Sequence, residues 1–171
     1  LKKQFSRISL VDVAHPLEVR LIALLFKGRI RLISGDLSGA LHLREPTSAI
    51  SLEKKLRDLL EDADALVSSC LLTQLTLPSA KRWSGRFPDA DIAQTAQRIG
   101  QFHIDLLRNA KRSLLITDSA QRYGNDDWSP LLPGLDLPSP SEKWIWDIAP
   151  AEEHELQGLG AEQRLVEASV F

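Results

Sequence analysis

The sequence predicts a mainly α-helical fold: a helical bundle with a small N-terminal β element and an extended Pro/Trp-rich C-terminal segment. Three observations carry that expectation. Residues 51–77 place Leu52, Leu56, Leu59, Leu60, Ala63, Leu66, Val67, Cys70, Leu71 and Leu75 at steps of three and four, the period of one helix face. Residues 90–112 repeat the pattern through Ile92, Ala96, Ile99, His103, Leu106 and Ala110. Beyond Gly124 the texture changes, with Pro130, Pro133, Pro138, Pro140 and Pro150, a density that excludes a regular helix. The chain therefore divides into a helical domain with an N-terminal strand, 1–123, and an extended acidic segment ending in a helix, 124–171.

Each element has its own signal. Residues 5–13 alternate like a strand, with Ile8 and Leu10 on one side and Arg7, Ser9 and Val11 on the other. Pro16 suits the first turn of a helix running to Phe26, with Val19, Ile22, Ala23 and Phe26 on its apolar side and Gly28 at its end. Residues 29–33 alternate again and read as a second strand. Residues 35–50 hold Gly35, Gly39, Pro46 and Ser48 and read as a connection with at most one helical turn. Residues 51–77 read as one helix of about seven turns, with Ser51 as N-cap and Pro78 as its stop. Pro88 and Asp89 open the next helix. Residues 113–117 fit either a continuation of that helix to Tyr123, with Gly124 as its C′ residue, or a short buried strand. The stripe shared by Ala110 and Leu114 favours continuation. A last amphipathic helix is expected from about 151 to 170, through Leu156, Leu159, Leu165 and Val166.

Length and composition bound the function classes. A chain of 171 residues fits one domain, or one domain with an appendage. Its 43% hydrophobic and 26% charged residues are the balance of a soluble globular protein and exclude a collagen, a coiled-coil rod or a disordered chain. The single cysteine, Cys70, excludes an internal disulfide and a cysteine-only metal site. On the apolar face of a helix it is expected to behave as a small hydrophobe. No apolar run reaches the ~18–20 residues that span a bilayer, so no membrane partner is expected. The chain begins at Leu1 and contains no methionine, which marks a processed or truncated piece, or numbering that starts past the true N-terminus. No signal peptide is visible, and the expected location is cytoplasmic.

Charge is unevenly spread. Residues 1–31 carry +5, 32–80 carry −3, 81–122 carry +4 and 123–171 carry −8, within a net charge of −2. A basic N-terminal block with an acidic tail is one pattern of a protein that meets an anionic partner.

The search for chemistry returns little. There is no phosphate-binding glycine motif and no G-x-S-x-G elbow. His15, His42, His103 and His154 lack the spacing of a metal site, so no metal and no cofactor is expected. The fragment Arg98-Ile-Gly-Gln-Phe-His103 resembles the Arg-x4-His motif of HEPN-type ribonucleases. That resemblance implies an arginine on phosphate charge and a histidine moving a proton. Five steps of ~100° place the two side chains about 140° apart on a regular helix, which favours a buried histidine beside a surface arginine. No catalytic residue is assigned.

Binding remains. Residues 7–13 followed by Pro16-Leu-Glu-Val-Arg-Leu-Ile-Ala-Leu-Leu-Phe26 resemble the start of a ribbon-helix-helix module. The run Arg20–Arg29 before two long helices is loosely similar to AcaB-type transcriptional activators of conjugative elements. The resemblance implies strand pairing between two copies and a ribbon in the DNA major groove, with Arg7, Ser9 and Val11 toward the bases and Ile8 and Leu10 toward the core, although residues 29–33 read as a strand where the module has its second helix. The expectation is a non-enzymatic DNA-binding or transcription-regulatory protein, dimeric, contacting nucleic acid through Lys2, Lys3, Arg7, Ser9, Val11, Arg29 and Arg31. The alternative is an interaction subunit or adaptor of a larger assembly, docking on another protein through Trp128, Trp144 and Trp146 in the C-terminal segment.

Overall fold

The computed structural model describes residues 6–26, 29–149 and 161–171. Its N-terminal unit is a strand β1 (Ile8–Asp12), a helix α1 (Leu17–Leu25) and a strand β2 (Ile30–Ser34). The two strands pair in parallel, Ile8 opposite Ile30 and Leu10 opposite Leu32. Pro16 sits at the N-cap of α1, where its missing N–H costs nothing. Gly28, expected to end this helix, lies outside the described residues. The strand–helix–strand order and both strands agree with the alternation of residues 8–12 and 30–33. The sidedness does not: Ile8 and Leu10 are exposed, whereas Ser9 and Val11 are half-buried. The expected packing of α1 also differs, since no residue of α1 is buried.

The remaining elements are α2 (Lys54–Asp62), β3 (Leu66–Ser69), α3 (Leu77–Trp83), α4 (Asp89–Arg108), β4 (Ser113–Tyr123), β5 (Ser129–Pro130), β6 (Glu142–Ala149) and β7 (Glu162–Val170). They form a five-stranded mixed sheet in the order β3-β4-β7-β6, with β5 on β4. The β3–β4 pair is parallel and is bridged by α3 and α4; the other pairs are antiparallel. At about 30% helix and 28% strand, this is an α/β fold. The expected helical bundle is therefore corrected.

Three local corrections explain the change. The single helix expected over 51–77 ends at Asp62, and Ala63 turns extended at ψ 138. Leu66–Ser69 then pair residue for residue with Ser113–Ile116. Ser68 and Ser69 are weak helix formers, and the ladder supplies backbone partners that a helix would otherwise provide. Pro78, expected as a stop, lies in the first turn of α3, the helical position that tolerates proline. Residues 113–123 form a strand, not a helix: Ser113, Leu115 and Thr117 are buried and alternate with half-buried neighbours. Gly124 still adopts φ 55, but its N–H bonds Ala161 across a strand end, at 2.9 Å. The terminal helix expected to Val170 is β7 over its described part; residues 150–160 lie outside the described residues. Thus the segment beyond residue 123 supplies three strands, β5, β6 and β7, to the same sheet, and β7 pairs with β4 from Val170 to Glu162.

The core lies between the sheet and the α3–α4 layer. Trp83, Ile99, Ile104, Leu107, Leu115, Leu72 and Leu75 form it together with Ala40 and Leu43 from the long connection. That connection, 35–53, has no helical turn, yet it is pinned at many points. The carboxylate of Asp36 accepts bonds from Ser38 N–H at 2.9 Å, Ser38 Oγ at 2.5 Å and Leu41 N–H at 2.8 Å. Arg82 donates to the carbonyls of Ala40, Leu41 and Leu43. Gly39 has φ 62, and a Cβ there would lie 2.9 Å from the Ser51 carbonyl oxygen, so only glycine fits.

Candidate functional site

The parallel register gathers most of the arginines of the basic N-terminal block. Ser9 stands opposite Arg31 and Val11 opposite Ile33, and matched residues in neighbouring strands share one face. Two steps back along each strand are Arg7 and Arg29, joined through the 2.7 Å bond from Ile8 N–H to the Arg29 carbonyl. Arg7, Arg29 and Arg31 are all exposed. Adjacent strands lie ~4.8 Å apart, so the backbone brings the three arginines to one end of a two-stranded ribbon. The carboxylate of β1, Asp12, faces the other way, opposite Ser34. Among the described residues none of the three arginines forms an ion pair. Further along this face Ile33 is buried, so the ribbon is anchored at one end and open at the basic end. Lys2 and Lys3 lie outside the described residues. In the ribbon-helix-helix module the strand pairs with a second copy. Here β1 pairs with β2 of its own chain, and residues 35–50 form turns where the module continues as a helix.

The Arg-x4-His fragment lies on α4, and both side chains are engaged inside the fold. Arg98 donates to the carbonyls of Pro46 at 3.3 Å and Ser48 at 3.0 Å. His103 is buried, with Nε2 2.8 Å from the Ser68 hydroxyl and Nδ1 without a partner. Burial lowers its pKa from 6.5 to about 4, because a buried imidazolium loses its hydration. The ring is therefore neutral near pH 7 and is not available as an imidazolium acid.

The tryptophans part company. Trp128 is half-buried beneath Arg122, whose guanidinium lies 4.7 Å from the ring centroid, a cation–π contact inside the chain. Trp144 and Trp146 lie side by side on β6, opposite Val166 and Arg164, and are 40% and 50% exposed. Two residues apart on a strand, they point to the same face of the sheet.

Two features escaped sequence reasoning. Asp118 accepts a bond from Thr73 Oγ1 at 2.8 Å and pairs with Arg164 at 3.2 Å, and Arg164 also pairs with Glu162. No spacing signal announces a cluster spread over three distant segments. The second is Cys70, which leaves the expected helix face and ends β3 at φ 51, half-buried. A cavity of about 440 Å3 opens between α2 and the end of α4, with Leu60, Phe102 and Leu106 in its wall and Arg57 and Lys111 among its polar lining. Among the described residues no group of three His, Cys, Asp or Glu side chains could hold a metal ion. Nor is any described helix long and apolar enough to cross a membrane. No family model matches the chain, and no curated protein matches it.

Proposed function

We propose that the protein is a non-enzymatic nucleic-acid-binding regulator whose contact surface is the arginine end of the β1–β2 ribbon. One observation carries the reading: Arg7, Arg29 and Arg31 are exposed at one end of the paired strands β1 and β2, with no carboxylate partner among the described residues. Guanidinium groups offer several donors in a rigid fork that matches phosphate. A two-stranded ribbon also fits the width of the DNA major groove. The Ser9 hydroxyl beside Arg31 adds a donor and acceptor that can reach a base edge. With a net charge of −2, the chain as a whole gives phosphate little general attraction, so affinity would depend on this patch.

The test is binding of the full chain to labelled duplex DNA by fluorescence anisotropy across a salt series. Three phosphate contacts should give a log–log salt slope of about −3, and Arg31→Ala should make it shallower by about 1. No binding at low salt would overturn the proposal.

A further inference from the structure

We propose that β6 is the seam of a homodimer, in which the free edges of two copies pair antiparallel about a two-fold axis passing at Ile145. The proposal stands on the geometry of β6 and draws nothing from the nucleic-acid reading.

Strand β6 closes one side of the sheet order, and among the described residues it pairs with β7 alone. Residues 141–148 are exposed at every position. An edge strand presents a row of unpaired N–H and C=O groups, and monomeric proteins protect such edges with charges, prolines or a covering element. Here four large apolar side chains fall within five residues: Trp144, Ile145, Trp146 and Ile148, at 40%, 53%, 50% and 45% exposure. Although Glu142, Lys143 and Asp147 place charges on the same edge, that much exposed apolar surface favours a covering partner.

Charge complementarity names the occupant. A two-fold axis perpendicular to the sheet keeps each face on its own side, so odd residues meet odd residues and even meet even. Three central alignments satisfy this, with the axis at Trp144, Ile145 or Trp146. At Trp144, Lys143 meets Ile145 and Asp147 meets Ser141. At Trp146, Lys143 meets Ala149 and Asp147 meets Ile145. Only the axis at Ile145 sets Lys143 of each copy against Asp147 of the other, twice over. The same alignment sets Trp144 against Trp146 twice on the opposite face. Directly opposite residues have Cβ atoms about 4.5–5.5 Å apart, within reach for both kinds of pair. Within the chain, Lys143 pairs with Glu167 at 2.7 Å, and Gln163 donates to Asp147 Oδ1 at 2.7 Å. Both contacts lie on one face of the sheet and reach inward to β7, so in the dimer each side chain would sit between its β7 partner and the opposite charge of the second copy.

The experiment is sedimentation equilibrium of the full chain over a concentration series. The wild-type protein should dimerise. Lys143→Glu and Asp147→Lys, each alone, should raise the dissociation constant about tenfold or more, since each exchanges two attractions for two repulsions. Mixing the two single variants should restore dimerisation as a heterodimer. In that pair the two reversed charges face each other, and the native Lys143 of one copy faces the native Asp147 of the other. This recovery also shows that both variants are folded. In a Cys70→Ala background, Ile145→Cys should form an intermolecular disulfide under mild oxidation, since residue 145 faces itself. A monomer at the highest attainable concentration, a dimer indifferent to either charge reversal, or mixed variants that fail to recover would each overturn the proposal. So would a partner strand from a different protein bound at β6 in place of a second copy.

Discussion

The connection 35–53 and the helix α1 have exchanged the roles their sequences suggest. The connection carries glycines, serines and a proline, yet Ser38, Ala40, Leu43 and Leu52 are buried. Helix α1 reads Leu-Glu-Val-Arg-Leu-Ile-Ala-Leu-Leu, yet Leu17, Leu21, Leu24 and Leu25 are 67%, 52%, 64% and 81% exposed. The difference teaches that burial follows the supply of partners. Irregular backbone can be buried only where each polar group is satisfied. In the connection, the Asp36 carboxylate, Arg82, Arg98 and the Thr95 hydroxyl supply those bonds. An α-helix satisfies its own backbone and can stand in the open, leaving its leucines for whatever packs there.

Four measurements would break or sharpen this comparison. The largest effect belongs to the indole under the connection. Trp83 is 1% exposed and shares its cluster with Ala40 and Leu43. Trp83→Ala should lower the unfolding free energy by about 3–5 kcal/mol, read by urea denaturation. A loss below about 1 kcal/mol would mean that the connection does not close over a real core.

The next effect concerns pH. The His103 imidazole titrates at 6.5 in the ordinary case and at about 4 in the folded protein, lowered by desolvation. Between those values the unfolded chain takes up a proton that the folded chain refuses. This contribution to stability is therefore complete above pH 6.5 and is lost as pH falls from 6.5 to 4, by about 3 kcal/mol in all. Urea midpoints measured across that window should fall with pH, and His103→Gln should flatten the dependence. An unchanged slope in the variant would place the titration elsewhere.

A smaller loss is expected from Asp36→Ala, which strands the N–H groups of Ser38 and Leu41. About 2 kcal/mol is expected for amides left without a partner. Hydrogen exchange should quicken at those amides first; protection equal to wild type would show that the carboxylate does not hold the turn. The smallest effect is on α1. Leu25→Gln, at a position 81% exposed, should change stability by no more than about 0.5 kcal/mol. A larger loss would show that α1 is covered in solution.

Legibility was uneven, and the reason lies in what each signal measures. Strands β1 and β2 and helix α4 were readable because alternation and the three–four stripe are local properties of the chain. Exposure was not: Ile8 and Leu10 read as core-facing and lie outward. For the candidate site, the basic block was visible as composition. That Arg7 and Arg29 come to one end of the ribbon, and Ser9 beside Arg31, required the parallel pairing of β1 with β2. The indoles Trp144 and Trp146 were visible as a pair, whereas the role of Lys143 and Asp147 depends on β6 being a sheet edge.

By itself the sequence determined where apolar periodicity exists, where proline forbids a helix interior, and that charge is segregated along the chain. Tertiary structure decided between helix and strand for Leu66–Ser69 and Ser113–Tyr123, whose apolar spacing suits both. The physical reason is that a helix finds its hydrogen-bond partners within four residues, whereas a strand finds them in a distant segment. Leu66–Ser69 become a strand because Ser113–Ile116 lie alongside them, and Ser113–Tyr123 because Glu162–Val170 return to pair with them. No local pattern in residues 51–77 or 113–123 records that such partners exist.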